Sequence, residues 1–180
     1  MMKEYPTWIL FCLFTDYGII TIQGDGKVNI EKKTYNTRYF IGIEHDHPLP
    51  MDHKEDNHVG PLFRRLEAWE EDITDLVFPK TYLGLACYPP KILDLDTFDY
   101  FALIEVEKLG DVDKPLVQKK LPKGVYLEVE TSFQDLRNTI EELYRYVKEE
   151  GMDIHEGFDA ILFEDPDEDI RFSIMIQSEQ

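Results

Sequence analysis

The stretch Gly124-Val125-Tyr126-Leu127-Glu128-Val129-Glu130, followed by Leu136, Ile140, Leu143, Tyr144 and Val147, carries the reading of the fold. The first part alternates with the period of two that a strand requires. The second repeats at three and four residues and lays one apolar stripe along a helix. Ser132 and Asp135 form a capping-box-like start, and Gly151 is placed to close the helical end. Two further strand-like runs, Asp159–Phe163 and Arg171–Gln177, follow across a turn at Asp165-Pro166-Asp167. The unit therefore reads strand, helix, strand, strand.

The same order occurs once upstream. Tyr39–His45 reads as a strand, and Leu62, Phe63, Leu66, Trp69, Ile73 and Leu76 form a helical stripe behind Gly60-Pro61. Thr81–Tyr88 and Phe98–Glu107 read as the next two strands, separated by Tyr88-Pro89-Pro90. The two halves share a pattern, not a visible sequence repeat. They predict an α+β fold of duplicated β-α-β-β modules. In it an antiparallel sheet carries both helices on one face, with a cleft along a pseudo-twofold axis. The first 35 residues fall outside the pattern. Trp8–Phe14, Gly18–Gln23 and Lys27–Ile30 look like short strands, which suggests an N-terminal β extension (1–35) ahead of the main domain (36–180).

Composition narrows the partners. Of 180 residues, 37 are Asp or Glu and 19 are Lys or Arg, a net charge of −18. Such a surface repels a phosphate backbone, so direct nucleic-acid binding is not expected. The longest apolar run, Trp8–Phe14, is too short to cross a bilayer. Neither a signal peptide nor a disulfide framework is apparent, since the two cysteines, Cys12 and Cys87, lie in apolar runs. A cytoplasmic protein, monomeric or homodimeric, is the expectation. His45, His47, His53 and His58 match no compact metal motif, and no phosphate loop, dinucleotide fingerprint or serine elbow occurs. No cofactor is implied.

Several motifs resemble the GyrI-like, AraC-effector-binding class of small-molecule-binding domains. Leu121-Pro122-Lys123-Gly124-Val125-Tyr126 is similar to the opening of that family's second module. Tyr144–Gly151 resembles its helix end, and Gly157-Phe158-Asp159-Ala160-Ile161 its next strand. Pro61–Trp69, Leu83–Pro89 and Phe98-Asp99-Tyr100 match the first module more loosely. The chain departs from the family at Asp159, where a Glu is usual, at Ile161, where a Tyr is usual, and at Phe63, where Trp is common.

The resemblance implies an aromatic pocket holding one buried carboxylate, suited to a hydrophobic or cationic ligand. Asp159 is the first candidate for that acid, with Glu105 and Glu128 behind it. Phe63, Trp69, Tyr88, Tyr100, Tyr126 and Ile161 are the candidate walls. Each has a plain structural alternative: an acid on a solvent-facing strand edge, or an aromatic in the core. Three roles follow from the resemblance. They are ligand sensing or sequestration by a stand-alone module with no DNA-binding domain, hydrolytic opening of cyclopropane rings in genotoxic compounds, and modulation of DNA gyrase as a protein partner.

Overall fold

A computed structural model describes residues 29–50, 59–88, 97–132, 135–154, 157–164 and 170–176. The expected strands Trp8–Phe14 and Gly18–Gln23, and Lys27 and Val28 of Lys27–Ile30, lie outside the described residues. The elements in chain order are β1 (Ile30–Tyr35), β2 (Arg38–Glu44), β3 (Leu49–Pro50), α1 (Val59–Glu67), a 3-10 turn (Glu70–Asp72), β4 (Tyr82–Cys87), β5 (Thr97–Val106), β6 (Leu116–Leu121), β7 (Gly124–Thr131), α2 (Leu136–Glu149), β8 (Phe158–Phe163) and β9 (Ile170–Ile176).

One antiparallel sheet runs β1-β7-β9-β8-β4-β5-β2-β6, with β3 paired to β5 outside that path. The modules are β2-α1-β4-β5 and β7-α2-β8-β9. They meet where β4 pairs with β8, from Tyr82↔Phe163 to Cys87↔Phe158. This seam lies at the middle of the sheet, as a pseudo-twofold arrangement requires. β1 lies at one edge of the sheet, pairing along β7 from Ile30↔Val129 to Tyr35↔Gly124.

Two connections set the sheet's shape. β1 and β2 lie six strand spacings apart yet are joined by Asn36-Thr37 alone, and Pro122-Lys123 alone joins β6 to β7. Six spacings across a flat sheet would measure about 29 Å, whereas two linking residues reach only about 11 Å. The sheet must therefore curl until its outer strands approach each other. Its inner face is filled by Phe40, Leu83, Leu85, Phe101, Leu103, Leu121, Ala160 and Leu162, all nearly inaccessible to solvent.

Both helices pack on the other face, α1 over β5 and β2 and α2 over β7. Leu62 and Leu66 of α1 enter a core with Ile41, Ile43, Ala102, Ile104 and Val106. Leu136, Ile140, Leu143 and Val147 of α2 enter one with Leu127, Val129, Ile161 and Phe163. The expected stripe of α2 is thus its buried face. Gly151 ends the helix at φ 64°, with Met152 N–H donating to Val147 O.

The first helix is shorter than its periodicity predicts. It stops at Glu67, and Trp69 opens the 3-10 turn with a side chain 37% exposed. Ile73 and Leu76 still reach the core, through a turn and an isolated bridge to Val106. Spacing alone could not separate a continuous helix from a turn that returns to the same side. The acidic run Glu70-Glu71-Asp72 and Asp75 at φ 59° favour the turn. β6 was also unforeseen, because Lys119 and Lys120 break its apolar pattern, as is common in edge strands.

Candidate functional site

Between the helices the floor of the cleft is formed by the outward residues of β4 and β8. Along β4 beyond Tyr82 the inward positions are large (Leu83, Leu85) and the outward ones small (Gly84, Ala86). That alternation leaves a trough. Ala86 pairs with Tyr100 on one side and Asp159 on the other, so the phenol and the acid flank the trough from neighbouring strands.

Asp159 is the chemical centre. Its side chain is buried, and each carboxylate oxygen accepts a phenol: Tyr144 Oη donates to Oδ1 at 2.7 Å and Tyr88 Oη to Oδ2 at 2.8 Å. Burial disfavours the charged form and raises the carboxyl to about 6, while the two hydroxyls oppose the rise. At pH 7 the group is mostly an anion in a low-dielectric setting, paired among the described residues with hydroxyl dipoles and not with a cation. Such a carboxylate is costly to the fold and attractive to a positively charged ligand.

Aromatic rings line the same face of the sheet, further along the β4–β8 seam. Phe63 of α1 packs edge-on to Phe163 (centroids 4.9 Å apart) and to Tyr82 (6.4 Å), and Tyr82 stacks on Phe163 at 5.5 Å. Tyr82 is anchored by its hydroxyl, which donates to Glu70 Oε1 at 2.7 Å; Lys80 pairs with the same carboxylate. Tyr88 lies 5.9 Å from Phe98, which in turn meets Tyr100 edge-on. Aromatic rings on the same face as a buried carboxylate favour flat or cationic molecules.

The structure thus gathers Asp159, Phe63, Tyr88, Tyr100 and Ile161 on the helix-facing side of the sheet. It places the other sequence candidates elsewhere. Trp69 lies beyond the end of α1 and is partly exposed. Tyr126 and Glu128 point to the inner face, as their alternation with Leu127 and Val129 demands. Tyr126 donates to Pro122 O at 2.7 Å, and burial pushes its phenol to about 12.

Glu128 is 2% exposed. It accepts from Tyr35 Oη (2.7 Å) and Ser173 Oγ (3.0 Å), and its Oε2 lies 2.8 Å from Lys33 Nζ. Burial pushes Glu128 upward, but those three partners outweigh it and hold the carboxyl below its ordinary range. Glu105 forms a two-pronged pair with Arg38, at 2.7 and 2.6 Å. Neither acid faces solvent, contrary to the usual meaning of an acid alternating with apolar residues. The curl turns their face inward. A cavity of about 10 Å³ beside Glu128, lined also by Tyr35, Arg38, Tyr126 and Ser173, has room for one water.

Tyr144, Tyr82, Phe163 and Gly84 belong to the cleft but were not foreseen as site residues. The large-small alternation Leu83-Gly84-Leu85-Ala86 was the available sequence signal for the trough. Tyr144 was legible only as a member of the α2 stripe.

Residues 31–174 match the sequence family described as the integron-associated effector binding protein, Cass2. The chain belongs to the Cass2 family. No curated protein matches it by sequence. Among solved structures, the Cass2 integron cassette protein from the mobile metagenome of Vibrio cholerae is similar with a TM-score of 0.61 at 14% identity. That match covers 82% of this chain and 95% of the other. SAV2435, solved bound to tetraphenylphosphonium, gives 0.61 at 13% identity over 83% and 94%. A Listeria innocua protein described as a hydrolase, encoded by lin2189, gives 0.53 at 13% identity over 85% and 94%. At these identities the likeness is one of fold. The Cass2 match covers both modules and includes β1.

Proposed function

We propose that this protein binds small hydrophobic cations in the cleft between α1 and α2, with the ligand's charge held near Asp159. The observation that carries the reading is a buried carboxylate that accepts a hydrogen bond from a phenol at each oxygen, on the helix-facing side of the sheet. The tetraphenylphosphonium bound by SAV2435 supports the ligand class. The role is sensing, sequestration or detoxification in the cytoplasm. Phe63, Tyr88, Tyr100, Tyr144 and Ile161 form the walls.

The test is isothermal titration and thermal shift with tetraphenylphosphonium and planar cationic dyes. At pH 7.5 at least one of these cations should bind and raise Tm. Affinity should fall as the pH is lowered through about 6, because a protonated Asp159 no longer offers its charge. Absence of binding by every cation tested would sink the reading, and pH-independent binding would remove Asp159 from it.

A second reading is favoured by one feature: an acid near 6 lies in the range useful for proton transfer at neutral pH. As a hydrolase, the protein would use Asp159 to pass a proton to a carbonyl conjugated with a strained cyclopropane, while water adds to the opening ring. Mass spectrometry of a cyclopropane-bearing alkylator should then show a gain of one water. Unchanged substrate rejects this reading without touching the first.

A further inference from the structure

Gly84 lies at the middle of the central strand pair, opposite Ile161 of β8 and Ala102 of β5. A methyl carbon at this position would come within 2.3 Å of Tyr100 Oη, 3.3 Å of Tyr100 Cζ and 3.8 Å of Phe63 Cζ. The Tyr100 side chain therefore leaves its own row, opposite Ala86, and lies along the trough with its hydroxyl over the bare Gly84 backbone. It is 3% exposed there. Its ring is backed edge-on by Phe98, and Phe63 of α1 stands beside its tip. Asp159 lies across Ala86 from it. The phenol and the carboxylate therefore flank the same short stretch of β4 backbone, Gly84 to Ala86.

The geometry points to Gly84 and Tyr100 as a size gauge for the cleft: the missing side chain at 84 lets Tyr100 lie flat, and this sets the largest ligand that reaches Asp159. The inference rests on the binding reading above. Any side chain at 84 must lift the phenol toward the interhelical space. The atom met first is the far end of a side chain, so the ring can yield while the backbone stays.

The experiment measures Kd for tetraphenylphosphonium and for the much smaller tetramethylphosphonium in four proteins: wild type, Gly84→Ala, Tyr100→Phe and Gly84→Ala/Tyr100→Phe. A phenol lifted into the ligand's space that costs the complex about 1.4 kcal/mol corresponds to a tenfold loss. Gly84→Ala should lose about that much affinity for the large cation and less than about twofold for the small one. Removing the hydroxyl that the new methyl meets should restore the double variant to within about threefold of Tyr100→Phe alone. A Tm measurement on each variant confirms that it is folded.

Equal losses for both cations, no loss, or no restoration in the double variant would overturn the gauge while leaving the binding reading intact. Failure of the wild type to bind either cation would overturn both. If Gly84→Ala does not fold, Tyr100→Phe decides alone: relief at the tip should raise affinity for the large cation relative to the small one, and an unchanged ratio rejects the gauge.

Discussion

Replacing Asp159 with asparagine is expected to stabilise the protein at pH 8 while lowering its affinity for a hydrophobic cation about thirtyfold or more. The stability effect follows from the acid's environment. Burial lifts its folded-state value from 3.8 to about 6. The native state therefore holds a proton more tightly than the unfolded chain, so stability is greatest below about 3.8 and is lost as the pH rises through about 6. Above that window the ionised group costs the fold about 3 kcal/mol. Asparagine carries no charge and can still accept from one tyrosine and donate to the other. Part of the cost should be recovered, a gain of about 1–3 kcal/mol at pH 8.

Urea unfolding of both proteins at pH 4 and pH 8 measures it. The wild type should lose stability relative to the variant between those values. Parallel pH profiles would show that Asp159 is not the raised acid. The binding loss comes from removing the buried anionic charge of Asp159, and titration with tetraphenylphosphonium reads it. A variant that is more stable and yet no longer binds marks a residue kept for function at the expense of the fold.

Arg38→Ala is the second large effect, and it acts on the fold. Arg38 and Glu105 are 17% and 13% exposed and bond through both prongs of the guanidinium. The guanidinium also lies 5.5 Å from the ring centres of Tyr35 and Phe40. Alanine would leave Glu105 as an uncompensated charge on the inner face, where the ends of the curled sheet meet. The expected cost is about 3–5 kcal/mol, read as a lower urea midpoint with an unchanged slope. Replacing both residues together, Arg38→Met with Glu105→Leu, should cost far less, since no charge is then stranded. A loss below about 1 kcal/mol in Arg38→Ala would mean that water screens the pair.

Much of the fold was legible because it rests on local periodicity. The α2 stripe, the two strands after each helix and the doubled order of elements all follow from spacing, and each is found within a residue or two of its expected place. The first helix misled because Ile73 and Leu76 return to the same core by a turn and not by helical winding. Asp159 was legible because Ile161 and Phe163 share its face at period two. Tyr144 was not, because its bond to Asp159 exists only where α2 crosses β8. Glu105 and Glu128 were misplaced for a related reason. An acid alternating with apolar residues means solvent in an open sheet, and the same pattern means an interior ion pair once the sheet closes on itself.

By itself, then, the sequence determined the elements, their doubling, the strand on which the acid sits and the large-small alternation that leaves a trough beside it. These are properties of neighbours along the chain. Only the tertiary structure decided that two-residue linkers curl the sheet, that its second face becomes an interior, and that three distant residues (Tyr88, Tyr144 and Asp159) meet at hydrogen-bonding distance. Those outcomes depend on contacts between strands and helices far apart in sequence, which no local period encodes.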